Sequence, residues 1–273
     1  MTDKNRDITV MGIVNLTDNS YYSPSRCLGS SGHCDMEKTI SAIGRMLEEG
    51  AGMIDIGACS TRPGSEPVGE EEEWKRLCPV LKSVYREFPG ISISIDTYWA
   101  SVVRKSHDTI GDFIVNDISA GEDDPDMLET VGKLGLPYIA MHKRGTPKTM
   151  QNLCEYGDIT SDIVNYFRSF SEKAEKAGIS DWIIDPGFGF AKTVDQNYEL
   201  MANLDRFLPF GRKILIGISR KSMIYRLFGI TPEEALPQTQ VLHFEALRKG
   251  ADILRVHDVA EARRTIEIYR KLS

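Results

Sequence analysis

The amino-acid sequence predicts an α/β protein folded as a single-domain (β/α)8 TIM barrel spanning residues 1–273. Three observations support this fold class. Short apolar runs recur along the whole chain, segments with helical periodicity separate them, and glycines stand between several helices and the strands that follow. The length also fits, because α/β barrels commonly reach roughly 200 to 250 residues as one domain.

Eight apolar runs, rich in Ile and Val, are the predicted strands. Each is nearly continuous in its apolar character, which is typical of parallel strands that are buried on both faces. The runs cover residues 8–14, 53–56, 91–95, 113–115, 136–141, 182–184, 214–218 and 253–256.

Apolar residues spaced three or four apart predict helices between these strands. The clearest series are Met36, Ile40, Ile43 and Leu47; Trp74, Leu77, Leu81, Val84 and Phe88; and Ile163, Phe167, Phe170, Ala174 and Ala177. Gly50, Gly178 and Gly250 each come just before a strand, and we expect each to end a helix in the left-handed conformation.

The alternation of strands and helices favours a closed barrel over an open doubly wound sheet. Eight βα units are the number that closes such a barrel. An open sheet of this type often carries a GxGxxG motif after its first strand, and this chain has none there.

Two predicted βα connections, residues 16–34 and 57–70, far exceed the usual length of about 2 to 6 residues. Both are rich in Gly, Ser or Pro, so we expect mobile loops at one end of the barrel. The second loop carries Arg62, a cation able to close over a bound ligand.

The charge balance and the cysteines indicate which binding partners are disfavoured and which cellular compartment is favoured. The chain has 33 Lys and Arg against 40 Asp and Glu, a formal charge of −7, which argues against general affinity for nucleic acid or anionic membranes. No stretch approaches the roughly 18 apolar residues of a membrane span. Five cysteines with no CxxC pair favour reduced thiols and a cytoplasmic protein.

Polar residues follow nearly every predicted strand, and the carboxyl ends of barrel strands form one face that carries active sites. Asp96, Asn116 and Asp185 follow the third, fourth and sixth strands. Taken one at a time, such residues often only cap a helix or start a turn. Together they are expected to converge on one rim, where carboxylates and an amide suit a flat, hydrogen-bonding heterocycle.

Cations are concentrated after the last two strands, where barrels often bind phosphate. The sequence SRKS (219–222) follows the seventh strand and RVHD (255–258) follows the eighth. Because the chain is acidic overall, the local positive charge of Lys221 and Arg255 indicates an anionic ligand. The alternative is that both residues form surface ion pairs with neighbouring carboxylates.

Eight motifs lie in order at the ends of these predicted strands. They are MGIVNLT (11–17), DIGACSTRPG (55–64), SIDT (94–97), VNDISAG (115–121), MHKRGTP (141–147), DPGFGFAK (185–192), ISRKS (218–222) and RVHD (255–258). Through them the chain resembles the dihydropteroate synthase family almost from end to end.

The resemblance implies an enzyme of folate biosynthesis. Members of this family condense 6-hydroxymethyl-7,8-dihydropterin pyrophosphate with para-aminobenzoate, giving 7,8-dihydropteroate and releasing pyrophosphate. The family implies Mg²⁺ as the cofactor and a homodimer as the assembly. The heterocycle and the anion inferred from the residues fit the pterin and its pyrophosphate.

The resemblance also assigns roles to matching positions. The pterin is expected at Asp96, Asn116, Asp185 and Lys221. The pyrophosphate is expected at Arg62, Arg255 and His257. The para-aminobenzoate is expected at Thr61, Arg62, Pro63, Phe190, Lys221 and Ser222. Asn15 is the implied Mg²⁺ ligand. The expected catalytic residues are Lys221, Arg255, His257 and Asp185.

The chain departs from the family pattern at a few positions. In the first loop Asp18 replaces a common proline and Asn19 a common aspartate, which removes a charge near the expected metal. Cys59 stands where a glutamate is common, and Ala191 stands where a glycine is common.

Three other functions remain open from the sequence. A pterin-binding methyltransferase domain shares the barrel but has no need for a pyrophosphate grip. A non-catalytic paralogue that binds pterin is supported only by the altered first loop. A Schiff-base aldolase using Lys221 is disfavoured, because this lysine stands among cations and hydroxyls with no evident proton relay.

Overall fold

The computed structural model describes residues 6–16, 35–59, 68–146 and 148–273. The strands are β1 (Thr9–Asn15), β2 (Met53–Gly57), β3 (Ile93–Asp96), β4 (Ile114–Asp117), β5 (Tyr138–Met141), β6 (Trp182–Asp185), β7 (Leu215–Ile216) and β8 (Ile253–Val256). The α-helices are α1 (Met36–Glu48), α2 (Glu70–Glu87), α3 (Ala100–Ile110), α4 (Met127–Leu134), α5 (Ile159–Ala177), α6 (Val194–Ala202), α7 (Ser222–Phe228), α8 (Leu236–Arg248) and α9 (Val259–Leu272).

The strands form one parallel sheet in the order β6-β5-β4-β3-β2-β1-β8-β7. A parallel bridge between Ile184 and Ile214 joins the two edge strands, and the Ile184 amide donates to the Lys213 carbonyl across the same seam. The sheet therefore closes on itself, and the predicted (β/α)8 barrel is confirmed.

The strand bounds differ from the predicted runs by no more than two residues at any end, and the structure gives a physical reason at β5 and β7. The run 136–141 contains Pro137, which has no N–H for the ladder, and β5 begins at Tyr138. The run 214–218 is cut to two residues because Gly217 is followed by a turn in which the Lys221 amide donates to the Ile218 carbonyl. Arg220 in that turn has a φ of 54°.

The helices begin and end where local chemistry satisfies their free backbone groups. Asp35 caps α1 by accepting from the Lys38 amide at 3.2 Å, and Asp158 caps α5 by accepting from Ser161 at 2.6 Å. Gly178 ends α5 in the left-handed conformation, as the sequence predicts. Gly50 and Gly250 also have positive φ values, one residue after the caps of α1 and α8.

The connection between β7 and β8 contains two helices, α7 and α8, which is one more than in a simple βα repeat.

The predicted loops 16–34 and 57–70 lie mostly outside the described residues. Among the helices that the structure describes, none is long and apolar enough to cross a bilayer.

Glu73 on α2 is a fully buried acid whose carboxyl oxygens have no hydrogen-bond partner among the described residues. Burial raises its pKa from an ordinary value of 4.5 to about 8, and the nearby Thr97 hydroxyl only partly offsets this. The folded state therefore holds a proton that the unfolded chain releases above pH 4.5. As a result, the free energy of unfolding falls as pH rises from about 4.5 to 8.

We expect Glu73→Gln to remove this pH dependence. The free energy of unfolding of the parent should fall between pH 5 and pH 7.5, whereas this contribution is absent in the variant. The difference between variant and parent should therefore shift by on the order of 2 kcal/mol in favour of the variant over this range. Urea unfolding at both pH values measures the change. Glu72→Gln, one residue away in an exposed pair with Arg76, is the control and should shift little. A pH response of Glu73→Gln equal to the parent's would contradict the assignment.

Candidate active site

The interior of the barrel is layered by the two-residue period of its strands. At the lower level six apolar side chains pack together: Met11, Met53, Ile139, Ile183, Leu215 and Ile253. Successive side chains alternate between faces, so residues two positions further along each strand face the same interior one level higher. That level contains Asp55 from β2, Asp185 from β6 and Arg255 from β8.

A buried ionic cluster occupies this upper level. The Arg255 guanidinium donates from Nε to Asp55 at 2.7 Å and from one terminal nitrogen to Asp96 at 3.0 Å. Asp55 also accepts from Asn116 Nδ2 at 3.2 Å and from the Ser94 hydroxyl at 2.7 Å. The convergence expected of Asp96 and Asn116 is therefore present, and Arg255 lies within the same cluster.

Asp55 is the member of this cluster that the sequence reasoning left unassigned. It is fully buried and joins three site residues that come from β3, β4 and β8. The signal was available: in the run MIDI, Asp55 stands two residues after Met53, so it shares the inward face of β2. By the same alternation Asp117 faces outward from β4, where it accepts from Tyr138 and Ser119.

Lys221, which follows β7, contacts the turn that comes after Asp185 at the end of β6. Asp185 Oδ1 accepts from the Gly187 amide at 2.8 Å. Lys221 Nζ donates to the Phe188 carbonyl at 2.7 Å and lies 4.9 Å from the centre of the Phe190 ring. Burial lowers the pKa of Lys221 to about 8, although the Asp185 carboxylate opposes this shift. The lysine is therefore mostly cationic at neutral pH and lies in the field of Asp185.

Two acids of the site, Asp96 and Asp185, are difficult to ionise. Burial raises the pKa of Asp96 to about 7, with the Arg255 guanidinium opposing and Asp55 reinforcing the shift. Burial also raises the pKa of Asp185, while Lys221 opposes it. Conversely, burial alone would lower the pKa of Arg255, but its two carboxylate partners raise it. A bound ligand that donates hydrogen bonds would therefore find buried carboxyl oxygens as acceptors, and little water would compete for them.

His257 is placed as a neutral hydrogen-bonding group. Burial lowers its pKa to about 3, which the Asp258 carboxylate only partly offsets. The Ser219 hydroxyl oxygen accepts from the His257 backbone amide at 3.2 Å and lies 3.1 Å from Nδ1. The neutral ring is therefore held against the Ser219 hydroxyl through Nδ1.

Arg220 is not part of the anion site, although SRKS was expected to bring its cations there. Its guanidinium pairs with Asp258 at 2.8 and 2.9 Å and donates to the carbonyls of Pro232 and Glu233. The side chain is buried and holds β8 and the start of α8 together. Lys221 is therefore the cation that this loop presents to the site.

The remaining predicted site residues fall into two groups. The first group lies within the described residues. Asn15 ends β1 beside Gly57 and faces the interior by alternation, and Ser222 begins α7. Phe190 packs against the apolar cluster that contains Tyr98 and Met141. The second group lies outside the described residues and comprises Thr61, Arg62 and Pro63, together with the altered positions Asp18 and Asn19.

Comparison with known proteins places this barrel in a family. The sequence profile described as "Pterin binding enzyme" matches residues 11–257. The dihydropteroate synthase of Escherichia coli (strain K12) is 38% identical over 263 residues, covering 96% of this chain and 89% of that protein. The chain belongs to the dihydropteroate synthase family.

Solved dihydropteroate synthases share the whole barrel. The Yersinia pestis enzyme, crystallised in a sulfonamide drug complex, superposes with a TM-score of 0.89 at 36% identity and covers 99% of this chain and 95% of its own. The Xanthomonas albilineans enzyme, crystallised with 4-aminobenzoic acid, has a TM-score of 0.87 at 33% identity, covering 98% and 94%.

Two departures from the dihydropteroate synthase pattern now have a structural setting. Ala191 has a φ of 50°, in the region that favours glycine, so alanine costs roughly 1 kcal/mol of backbone strain there. Cys59 is buried among apolar side chains, with Sγ 3.6 Å from the Tyr98 hydroxyl. Burial raises the pKa of its thiol, so this position carries no negative charge at neutral pH.

Proposed function

We propose that this barrel condenses 6-hydroxymethyl-7,8-dihydropterin pyrophosphate with para-aminobenzoate to give 7,8-dihydropteroate and pyrophosphate. The observation that carries this proposal is the rim on which the acceptors Asp96, Asn116 and Asp185 stand beside the cations Lys221 and Arg255. Family membership supports the same activity, because the relatives and structural neighbours are dihydropteroate synthases.

The pterin half of the substrate fits the acidic rim. A pterin ring is flat, and its amino and ring N–H groups require acceptors in a buried site. Asp96 and Asp185 supply carboxylate oxygens, and Asn116 supplies an amide oxygen, because its Nδ2 already donates to Asp55. Lys221 supplies a donor from the opposite side.

The pyrophosphate half fits the cations and N–H donors of β7 and β8. Arg255 presents the guanidinium N–H groups that Asp55 and Asp96 do not take, and His257 presents a neutral imidazole. Arg62 belongs to the same proposal, although it lies outside the described residues. As the bond to the leaving group breaks, negative charge grows on pyrophosphate, and fixed cations and dipoles stabilise that charge more than they stabilise the bound substrate.

Asn15 is the proposed protein ligand for Mg²⁺. The described residues contain no cluster of three His, Cys, Asp or Glu that could hold a metal on its own. A single amide oxygen from Asn15 nevertheless suits Mg²⁺, which is often held by one or two protein oxygens together with substrate phosphates and water. When bound, the ion would supply further charge neutralisation at the pyrophosphate.

The para-aminobenzoate is proposed to lie beside Phe190, Lys221 and Ser222. The Xanthomonas albilineans relative was crystallised with 4-aminobenzoic acid, which supports an aromatic amine as the second substrate. Thr61, Arg62 and Pro63 would complete the pocket. Phe190 offers an aromatic face, and Lys221 offers a cation that suits a bound carboxylate.

The displacement requires little acid or base chemistry. The neutral amine nitrogen attacks the methylene carbon of the pterin substrate, and the bond from that carbon to the pyrophosphate oxygen breaks. The nitrogen then loses one proton to solvent water. An arylamine is nucleophilic when neutral, so the residues contribute mainly orientation and charge stabilisation. Asp185 beside the pterin would favour positive charge that spreads from the methylene carbon into the ring.

One assay tests the function. Pyrophosphate release from the dihydropterin pyrophosphate should require both para-aminobenzoate and Mg²⁺. Tight binding of the pterin without release would support the alternative of a non-catalytic paralogue and contradict the proposal. Labelled para-aminobenzoate should appear in dihydropteroate in equal amount to the released pyrophosphate.

A homodimer and a cytoplasmic location are further parts of the proposal. Three large apolar side chains on α7 and α8, Leu227, Phe228 and Val241, are between 52% and 69% exposed, which supports burial against a second copy. Analytical ultracentrifugation tests the assembly, and a monomer at micromolar concentration would contradict it. The proposed compartment is supported by the absence of paired CxxC motifs in the sequence.

Asp55→Asn tests the unassigned acid of the site. The amide keeps the shape of the side chain but removes the charge that pairs with Arg255, so the guanidinium loses one of its two ionic partners. We expect the KM for the dihydropterin pyrophosphate to rise about tenfold, which corresponds to roughly 1.4 kcal/mol. Steady-state kinetics with para-aminobenzoate held at saturation measures this.

The matched control is Asp117→Asn, which changes a second buried aspartate that faces away from the interior. It should lower thermal stability, because Asp117 accepts from Tyr138, Ser119 and Gly121, and leave KM within about threefold of the parent. Equal kinetic effects of the two substitutions would show that Asp55 acts only through stability.

A further inference from the structure

Lys192 is a buried lysine at the end of the turn that joins β6 to α6, and the function proposed above makes no use of it. The residue is only 4% exposed. Its ammonium lies 2.8 Å from the Gly187 carbonyl, 3.0 Å from the Phe190 carbonyl and 3.1 Å from Nδ1 of His142. Three acceptors match the three N–H donors of an ammonium group, so its hydrogen-bonding capacity is satisfied.

The protonation states of this cluster agree with its geometry. Burial lowers the pKa of His142 well below its ordinary value, so the ring is neutral and Nδ1 accepts from Lys192. Burial also lowers the pKa of Lys192 to about 7, with the Asp185 carboxylate opposing the shift. A neutral amine has only two N–H donors, so the arrangement with three acceptors belongs to the ammonium form.

The turn that Lys192 holds carries several contacts of the proposed site. Between the two carbonyls bound by Lys192 lies the Phe188 carbonyl, which accepts from Lys221. The Gly187 amide donates to Asp185. A Cβ atom at Gly187 would come within 1.9 Å of the His142 carbonyl, so the turn is packed directly on the end of β5. Lys192 therefore ties β5 to the turn from one side while Lys221 contacts it from the other.

Lys192 holds the part of the site next to Phe190 rather than the cluster of Asp96, Asn116 and Arg255. Its partners lie on β5 and on the turn after β6, whereas the residues of that cluster are joined to one another through β2, β3, β4 and β8. A change at Lys192 thus displaces the Phe190 ring and the Phe188 carbonyl while this cluster retains its own hydrogen bonds. Asp185 is the one acid of the rim that is joined to the turn, through the Gly187 amide.

We propose that Lys192 is a positioning residue for the condensation. Its ammonium fixes the turn 186–191 so that the Phe190 ring and Lys221 form the wall against which para-aminobenzoate binds. This inference rests on the proposed function, and it assigns to one buried cation a specific effect on the second substrate.

The test is Lys192→Met, which keeps an unbranched side chain of similar length and removes all three donors. The KM for para-aminobenzoate should rise roughly tenfold or more, because the wall is no longer fixed. The KM for the dihydropterin pyrophosphate should stay within about threefold of the parent. A purely structural role would change stability and the amount of active enzyme without separating the two KM values.

Lys143→Met is the matched control. Lys143 is also a buried lysine at the end of β5, but its ammonium pairs with Asp123 in the connection after β4. The control should lose stability as Lys192→Met does, while both KM values remain close to those of the parent.

His142→Phe provides a second variant that keeps an aromatic ring against Tyr166 and removes both ring nitrogens, including the Nδ1 acceptor of Lys192. It should raise the KM for para-aminobenzoate by a smaller factor, roughly threefold, because both carbonyl bonds of Lys192 remain. If Lys192→Met fails to fold, this variant decides: no rise, or an equal rise in both KM values, overturns the inference.

The outcomes separate this inference from the proposed function. A parent protein that releases no pyrophosphate would remove the function itself. An active parent, together with a Lys192→Met variant whose two KM values are unchanged or rise in parallel, would overturn the role of Lys192 and leave the function in place. A selective rise for para-aminobenzoate, absent in Lys143→Met, is the expected result.

Discussion

Arg255→Met should lower kcat/KM for the dihydropterin pyrophosphate by roughly three orders of magnitude. The substitution removes the guanidinium from the proposed pyrophosphate site, and truncating one partner of a buried charge pair typically costs about 2 to 5 kcal/mol. It also leaves Asp55 and Asp96 as neighbouring buried carboxylates without their shared cation. Single-turnover kinetics and calorimetric titration with free dihydropterin measure the two effects separately.

The structure changes what is expected for free pterin binding in this variant. From the sequence, Arg255 is an anion ligand only, so its loss should leave the affinity for a pterin without pyrophosphate nearly unchanged. In the structure Arg255 also compensates the acids of the pterin rim, and we now expect that affinity to fall about tenfold as well. A selective loss of pyrophosphate recognition would show that the carboxylate pairs do not shape the pterin pocket.

Arg255→Lys is the control for charge without the guanidinium fork. Lysine restores a cation but cannot bond Asp55 and Asp96 together with two separate nitrogens, as Arg255 does through Nε and a terminal nitrogen. We expect partial recovery of kcat/KM, still at least tenfold below the parent. Full recovery would indicate that the site requires only a point charge.

The barrel was predictable because its signals are local. Continuous apolar runs, helical periodicity and glycines before strands each depend on a few neighbouring residues, and all eight predicted strands are present. The main error, at β7, arose where an apolar run continues beyond the ladder: Ile218 is buried, but its carbonyl accepts within a turn rather than from a neighbouring strand. Hydrophobicity reports burial and does not report which backbone group is paired.

The convergence of the polar side chains was predictable because it follows from position along a strand. Asp96, Asn116 and Asp185 each follow an apolar run, Arg255 lies within the last one, and parallel strands bring such residues to one face. Asp55 was counted among the polar residues at the strand ends but was given no role, because position alone does not show which side chains it contacts. The two-residue alternation of MIDI places it on the inward face, and the closed barrel shows its partners.

Other parts of the site depend on contacts that no local pattern encodes. Arg220 lies in the same motif as Lys221, yet it is bound by Asp258 and by two carbonyls after α7, which leaves it no role at the anion site. Lys192 acquires its role from His142, 50 residues earlier in the chain. Both assignments require the closed barrel, because only closure brings these segments within hydrogen-bonding distance.

Asp185→Asn should produce the second large effect, a loss of roughly 5- to 150-fold in affinity for free dihydropterin. Asp185 is buried, and one of its oxygens already accepts from the Gly187 amide, so the other oxygen remains for the ligand. An amide can satisfy Gly187 with its oxygen but then turns an NH2 group towards a ligand that also donates. Two facing donors cost about 1 to 3 kcal/mol, which gives the range stated.

The same substitution should also lower kcat, because the neutral amide no longer stabilises positive charge that spreads into the ring as pyrophosphate departs. Asp252→Asn is the control: Asp252 precedes β8 at the opposite end of the barrel, where it accepts from the Ile214 amide and pairs with Arg6. It should reduce thermal stability without altering pterin affinity. If Asp185→Asn binds dihydropterin as tightly as the parent, the pterin cannot lie against β6, and the orientation of both substrates in the barrel would have to be reversed.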